Sequence, residues 1–199
     1  MKVGVILSRC QPLHKGHIEM INRALAENDK VLFIIGSADK SGTERNPFPV
    51  GYRVSMFKFA LGFVEDRTRV SYMTLNDWSS DENIPKQNNI TGVVDDADSV
   101  NIEWGQYLYY NIVNYIGQPD FIFYYNDDSS LVSAWFPKNI WDRITIVSYS
   151  RTDDISSSSI RKAIINDDFD YVMKCIPYWR GVRLRNMMKR YKSILNKED

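Results

Sequence analysis

The residues with the clearest capacity for chemistry lie near the start of the chain, where residues 7–17 read L-S-R-C-Q-P-L-H-K-G-H. This segment holds both histidines of the chain, His14 and His17, with Gly16 between them. Imidazole nitrogens can donate hydrogen bonds to phosphate, and a glycine lets a ligand approach the backbone closely. An H-x-x-H spacing also occurs in metal sites, but no cysteine or further histidine completes one here. The segment therefore predicts a phosphate-binding loop, with no metal ligand assigned.

A second segment of this kind lies far along the chain, where residues 153–161 read D-D-I-S-S-S-S-I-R. Serines before an apolar helical run are candidates for a helix N-cap, and the helix dipole attracts anions to that end. Arg161 in the first turns can reach the same anion. Alone, this pattern also fits a well-capped surface helix. Together, the two segments supply imidazoles, hydroxyls, backbone N–H groups and a guanidinium, which favours a polyphosphate site.

These segments need a scaffold, and the hydrophobic pattern predicts strands that alternate with helices. Strand-like apolar runs occur at residues 3–7, 31–35, 69–74, 121–125 and 144–147. Apolar residues at helical spacing follow three of them: Ile18, Ile21 and Leu25; Tyr52, Met56, Phe59 and Phe63; and Trp104, Leu108, Ile112 and Tyr115. The alternation predicts an α/β protein with a Rossmann-like, doubly wound parallel sheet and a C-terminal helical segment.

The domain organisation follows from the length of 199 residues, for which one domain is the default. We expect a single domain over residues 1–199, in which residues 178–199 form a C-terminal helix packed on the body. Residues 76–100 are polar, without a clear period, and longer than an ordinary connection in a compact domain. Such a loop is a lid, a binding loop or a disordered segment, and its role is left open.

Composition limits the partners of the chain. The 25 basic and 25 acidic side chains balance to zero, which argues against a general nucleic-acid binder. Residues 174–192 carry seven basic side chains and no acid, and we interpret them as a solvated helix face rather than a polyanion site. No stretch approaches the roughly 20 apolar residues that span a bilayer. Cys10 and Cys175 lie far apart and fit no metal spacing, so we expect two reduced thiols in a cytoplasmic protein.

The two segments together resemble the signatures of the nucleotidylyltransferase superfamily, G-x-F-x-P-x-H-x-G-H and I-S-S-T-x-x-R. Ser8 and Cys10 stand where the first signature has Gly and Phe, and Ser158 replaces the Thr of the second while it keeps the hydroxyl. Within the superfamily, residues 36–53 (GSADKSGTERNPFPVGYR) are similar to a stretch of nicotinamide mononucleotide adenylyltransferases. The likeness is to the archaeal type and to the type fused to Nudix hydrolases.

This resemblance implies transfer of AMP from ATP to nicotinamide mononucleotide, with Mg²⁺ or a similar divalent cation accompanying ATP. It implies His14, His17 and Arg161 as catalytic residues. The ATP-binding residues that it implies are Ser8, Arg9, Gln11, His14, Gly16, His17, Ser156, Ser157, Ser158 and Arg161. The acceptor-binding residues that it implies are Phe48, Arg53, Asn101 and Trp104. The family's roles further imply that Arg9 and Arg53 bind phosphate.

Two other functions compete with this interpretation. Residues 151–158 (RTDDISSS) also resemble the second signature of cytidylyltransferases, which would act on an alcohol phosphate. Gln11 where that branch has Asp, Arg161 where it often has Lys, and residues 36–53 weigh against it. The third candidate is a non-catalytic nucleotide sensor, which would not need both histidines and Arg161. All three bind small molecules and involve neither nucleic acid nor membrane. The sequence leaves open the oligomeric state, homo-oligomers included, and the choice between the amide and acid mononucleotide.

Overall fold

The computed structural model describes residues 1–77, 102–125, 132, 135, 136, 138–150 and 155–196. Within these ranges the chain forms a five-stranded sheet in the order β3–β2–β1–β4–β5, and every neighbouring pair is parallel. The strands are β1 (Val3–Ser8), β2 (Lys30–Ile35), β3 (Val70–Thr74), β4 (Phe121–Tyr125) and β5 (Ile144–Ser148). The predicted α/β class with a doubly wound parallel sheet is confirmed.

Helices cover both faces of this sheet. They are α1 (Lys15–Glu27), α2 (Val50–Ala60), α3 (Ile102–Ile116), α4 (Lys138–Trp141), α5 (Ser157–Ile165), α6 (Phe169–Cys175) and α7 (Val182–Leu195). Alternate residues of the central strands point to opposite faces. Ile6 and Phe33 therefore pack with α1, α2 and the helices from α5 onward, whereas Val5 and Leu32 pack with α3 and α4. None of the described helices is long and apolar enough to cross a membrane.

The strand order places a crevice at one edge of the sheet. The chain runs from β1 outward to β2 and β3, and it then crosses to β4 on the other side of β1. Ligands of open α/β sheets bind at such a reversal point, beyond the carboxyl ends of the strands. The loop from Ser8 to His14 follows β1 directly, and the N-terminus of α5 follows β5. The two segments that the sequence singles out thus leave the same edge of the sheet.

The C-terminal helix packs on the sheet's helical layer, because Leu184, Met187 and Tyr191 are buried in the same core as α1 and α2. Its basic side chains are not simply solvated. Arg183 lies 4.1 Å above the ring of Phe59, and Arg190 lies 5.5 Å from the ring of Tyr52. These guanidinium groups cover aromatic rings while their charges stay near water.

A cluster of polar groups ties the end of α1 to β4 and β5. The hydroxyls of Tyr124 and Tyr149 donate to the two carboxylate oxygens of Glu27, at 2.9 and 2.6 Å. The two phenol rings stack with their centroids 5.5 Å apart. Gly4 on β1 leaves room for Tyr124, since a Cβ at Gly4 would lie 2.9 Å from its ring. Donation from Tyr149, and then from Tyr124, lowers the pKa of Glu27.

Candidate active site

The ring of His17 is fixed from both of its nitrogens. The backbone N–H of His14 donates to Nδ1 at 3.1 Å, and Nε2 lies 2.7 Å from the hydroxyl oxygen of Ser8, at the end of β1. A nitrogen that accepts a hydrogen bond cannot carry a proton, so the hydrogen of the neutral ring is on Nε2. His17 therefore presents an N–H donor at the carboxyl end of the central strand.

The glycine between the histidines has a steric reason. A Cβ at Gly16 would lie 3.2 Å from two atoms of the His14 ring, closer than most side chains tolerate. The absence of that carbon lets the ring of His14 lie against the first turn of α1, with its centroid 4.0 Å from that of His17. The edge of Phe33, 6.2 Å away, supports the His17 ring from the core. The H-K-G-H spacing thus brings two imidazoles together.

The N-terminus of α5 begins with a reciprocal cap. The hydroxyl of Ser156 accepts a hydrogen bond from the backbone N–H of Ser159 at 2.9 Å. In return, the hydroxyl of Ser159 accepts one from the backbone N–H of Ser156, also at 2.9 Å. Such a capping box fixes the helix start and leaves the dipole directed at the crevice. The Ser156 hydroxyl, predicted to bind ATP, serves the cap in the structure. Ser159, which the sequence analysis left out, completes the cap.

Hydrogen bonds join the two predicted segments directly. Arg161 donates through Nη1 to the carbonyl of Gln11 at 2.8 Å and through Nη2 to the Ser158 hydroxyl at 3.3 Å. The hydroxyl of Ser157 donates to the carbonyl of Pro12 at 3.0 Å. The imidazole pair and the capped helix start are therefore parts of one site, with a guanidinium between them.

The side chain of Gln11 pairs with the backbone of a neighbouring loop. Its Oε1 accepts from the backbone N–H of Phe48 at 2.8 Å, and its Nε2 donates to the Phe48 carbonyl at 3.0 Å. Phe48 is fully buried and stacks on Tyr52 with centroids 5.3 Å apart. The amide of Gln11 thus braces one loop against the other, and the phenyl ring of Phe48 packs in the core rather than facing the crevice. Binding of ATP by Gln11 and of the acceptor by Phe48 stays a prediction.

Arg53, predicted as a phosphate ligand, is fully buried beneath the same loops. Nη1 donates to the carbonyls of Arg9 and Gly36 at 2.9 and 2.7 Å, and Nη2 donates to those of Ser37 and Lys40 at 2.8 and 3.5 Å. Burial lowers the pKa of Arg53, and the four carbonyl oxygens compensate for the lost water. The terminal nitrogens of Arg53 thus hold backbone in the structure, and binding of phosphate by Arg53 stays a prediction.

The remaining predicted residues are placed as follows. Arg9 is half-buried directly after β1. Trp104 is half-buried near the start of α3, with its ring 5.8 Å from Tyr107 and 6.3 Å from Trp135. Asn101 and most of the polar stretch 76–100 lie outside the described residues. Binding of the acceptor by Trp104 and Asn101 stays a prediction.

Among the described residues, the side chains that meet at the site are not typical of a metal centre. The described residues form no group of three or more metal-ligating side chains. The groups that meet at the crevice are hydroxyls, imidazoles and a guanidinium, whereas Mg²⁺ prefers carboxylate and phosphate oxygens. These described groups are therefore poorer ligands for a divalent cation than phosphate oxygens would be. Burial raises the pKa of the Cys10 thiol to about 12, which keeps it protonated and unreactive.

One further contact reaches this loop from the C-terminal part of the chain. The hydroxyl of Tyr178, between α6 and α7, donates to the carbonyl of Leu13. Sequence reasoning missed this residue, and no local pattern marks it, because a tyrosine in an apolar stretch is typical of any core.

The sheet order, the glycine-containing loop after β1 and the capped helix start are together typical of α/β proteins that bind phosphate groups at this edge of the sheet. A family model described as cytidylyltransferase-like matches residues 9–163. The chain belongs to the cytidylyltransferase-like family.

Comparisons with individual proteins refine this placement. Over 60 residues the chain is 45% identical to a nicotinamide-nucleotide adenylyltransferase of Thermoplasma acidophilum, covering 30% of this chain and 34% of that protein. Over 61 residues it is 44% identical to the Pyrococcus furiosus enzyme of the same name, covering 31% and 32%. The matches thus span about a third of each relative.

The fold is similar to that of a bifunctional NMN adenylyltransferase/ADP ribose pyrophosphatase of Francisella tularensis, solved with AMP and a manganese ion. The TM-score is 0.69 at 17% identity, over 99% of this chain and 52% of that one. A Vibrio parahaemolyticus structure, described as a putative nicotinate-nucleotide adenylyltransferase, has a TM-score of 0.55 at 18% identity, over 94% and 99%. At these identities, the likeness concerns the fold.

Proposed function

We propose that the chain transfers the AMP group of ATP to nicotinamide mononucleotide and releases pyrophosphate. One observation carries the reaction type: the N–H of His17, the start of α5 and Arg161 converge at the carboxyl end of β1. The acceptor is supported by the resemblance of residues 36–53 and by the names of the Thermoplasma and Pyrococcus relatives.

The chemistry requires no activated side chain. A phosphate oxygen of the mononucleotide forms a bond to the α-phosphorus of ATP, and the bond from that phosphorus to the bridging oxygen breaks. Pyrophosphate leaves with the electron pair. Because the attacking phosphate is already an anion, the protein needs to align two polyanions and stabilise the charge that develops between them.

The residues divide this work by position. The Nε2–H of His17 serves the α-phosphate, where it exchanges its bond to Ser8 for one to a phosphate oxygen, and His14 serves the neighbouring phosphates. The backbone of Ser157 and Ser158 at the helix start and the guanidinium of Arg161 hold the departing pyrophosphate. Mg²⁺ would accompany ATP as part of the substrate and would offset the negative charge of its phosphates.

The second candidate is transfer of CMP from CTP to an alcohol phosphate, which the family's description favours. The pairing of Gln11 with Phe48 weighs against it. An ionised aspartate, usual in that branch, could accept from the Phe48 N–H but could not donate to the Phe48 carbonyl. The pair of bonds seen here is thus incompatible with an ionised carboxylate at position 11.

The test is pyrophosphate release by the purified full chain with Mg²⁺. ATP and CTP are each paired with nicotinamide mononucleotide, nicotinic acid mononucleotide, phosphocholine and glycerol phosphate. We expect turnover with ATP and a pyridine mononucleotide, and the relative rates of amide and acid give the acceptor preference. The His17→Ala variant is the control for contaminating activity. Efficient use of CTP with an alcohol phosphate alone would establish the second candidate, and nucleotide binding without turnover would establish a sensor.

We assign the protein to the cytoplasm. Cys10 and Cys175 are both buried, and neither forms a disulfide. A reducing compartment keeps such thiols in that state. Fractionation of the native host, with immunodetection of the chain, tests this assignment.

A further inference from the structure

Three consecutive carbonyls of the loop after β1 accept hydrogen bonds from the C-terminal part of the chain. Arg161 donates to Gln11, Ser157 donates to Pro12, and Tyr178 donates to Leu13. We call Arg161, Ser157 and Tyr178 the carbonyl clamp. Arg161 and Ser157 belong to the predicted site, whereas Tyr178 lies beyond residues 9–163, which the family model matches.

The bond from Tyr178 acts on the peptide group that precedes His14. The carbonyl of Leu13 and the N–H of His14 belong to one planar unit, so the direction of the carbonyl sets the direction of the N–H. That N–H donates to Nδ1 of His17, and Nε2 on the far side of the ring contacts Ser8. A continuous line of hydrogen bonds therefore runs from Tyr178 through the Leu13–His14 peptide to the His17 ring, and from Nε2 of that ring to Ser8.

Each hydrogen bond along this line strengthens the next one. A donor on the Leu13 carbonyl makes the His14 N–H a better donor, because hydrogen bonds through one amide strengthen each other. A stronger bond to Nδ1 disfavours the tautomer with its proton there. Tyr178 is buried and its ring edge contacts Phe63, so it has a defined position. Burial raises its pKa well above 10, and the phenol stays a donor at any physiological pH.

We propose that Tyr178 is a positioning residue for His17, which it holds in the Nε2–H tautomer through the Leu13–His14 peptide. The effect of Tyr178 on kcat rests on the proposed function, whereas its effect on the tautomer of His17 does not. The C-terminal segment thereby has an indirect influence on the His17 imidazole, exerted by Tyr178, which lies 165 residues from the contacted carbonyl in sequence.

The test replaces Tyr178 by phenylalanine, which keeps the ring and removes only the donor. Tyr109→Phe is the matched control, because the Tyr109 hydroxyl also donates to a backbone carbonyl, that of Pro119, on the other face of the sheet. Two quantities are measured for wild type and both variants: the imidazole ¹⁵N shifts of labelled protein without substrate, and kcat and KM for ATP. Circular dichroism establishes that each variant is folded at the assay temperature.

We expect wild-type His17 in the Nε2–H form, and a mixture of tautomers in Tyr178→Phe. In the same variant kcat should fall about tenfold, or ~1.4 kcal/mol, with KM for ATP within about twofold. Tyr109→Phe should change neither quantity. Wild-type His17 protonated on Nδ1, or unchanged shifts in Tyr178→Phe, would overturn the proposal. Equal losses of kcat in the two variants would do the same. Since the spectra need no substrate, they decide the structural link even if the proposed reaction is wrong.

Discussion

The two hydrogen bonds between Gln11 and Phe48 lead to a prediction about one atom, the amide nitrogen of Gln11. In Gln11→Glu the amide nitrogen becomes an oxygen of nearly the same size. The protonated carboxyl can donate to the Phe48 carbonyl and accept from its N–H, so both bonds of the native pair are kept. The ionised carboxylate can only accept. It leaves the Phe48 carbonyl unsatisfied and places a charge where Gln11 is 2% exposed.

The magnitude follows from the burial of this pair. Burial should raise the pKa of the introduced carboxyl by about two units above the ordinary value of roughly 4.3. As the pH rises from the unfolded to the folded pKa, the introduced carboxyl loses its proton in the unfolded chain but keeps it in the folded chain. The variant therefore loses about 3 kcal/mol of stability relative to wild type, all of it between about pH 4 and pH 7. For a chain of this length the loss lowers the melting temperature by roughly 6–12 °C.

The assay is thermal unfolding followed by circular dichroism from about pH 4 to pH 8 for wild type, Gln11→Glu and Gln11→Met. The methionine variant lacks both bonds at every pH, so its deficit relative to wild type should stay constant. The glutamate variant should approach wild type at the acidic end and fall below it at the alkaline end. If the glutamate deficit is the same at both ends, the amide pairing does not support the fold and the reasoning fails.

Three further predictions concern the site and its support. His17→Ala should lower kcat by about 10²-fold or more with little change in KM for ATP, and a loss of ATP affinity alone would make His17 a ground-state ligand. Trp104→Ala should raise KM for the mononucleotide several-fold and leave KM for ATP unchanged; a large drop in melting temperature with unchanged KM would make Trp104 a core residue. Tyr149→Phe should lower the melting temperature by about 1–3 °C near neutral pH. Because its bond lowers the pKa of Glu27, that deficit should shrink as the pH falls through the lowered value, and a deficit independent of pH would contradict this account.

Local patterns predicted the strands and most of the helices correctly. The run at 31–35 reads as a buried strand because both of its faces are covered, and β2 occupies that position. The pattern at 52–63 was less reliable. The α-helix ends at Ala60, and Phe59 is 41% exposed beneath Arg183 rather than in the core. An aromatic residue whose ring is covered by a cation from far along the chain recurs at the same helical spacing as one that is covered by apolar residues. The spacing alone therefore does not distinguish these two environments.

The structure brings together the segments that the sequence singles out, but the sequence does not show what several individual side chains contact. Gln11 and Arg53 are predicted to bind ligand, and in the structure their polar atoms pair with backbone at Phe48, Arg9 and Gly36. Both roles depend on where two loops meet, which no local pattern encodes. An arginine that donates to four buried carbonyls and an arginine that binds a phosphate are the same residue type in the same motif, so the sequence does not distinguish them.

The bonds of the carbonyl clamp join positions 145, 150 and 165 residues apart. A ribosome adds roughly 5–20 residues per second, so the histidine-bearing loop is synthesised about 10–30 s before Tyr178 exists. During that interval β1 and its loop can pair with β2, but the loop's carbonyls have no donors from α5 or from the segment that follows α6. If the chain binds a triphosphate as proposed, that ability should therefore appear only after Tyr178 has been synthesised and not with the first strands of the sheet. In a nascent chain, nucleotide binding would then report that the three donors have reached the loop.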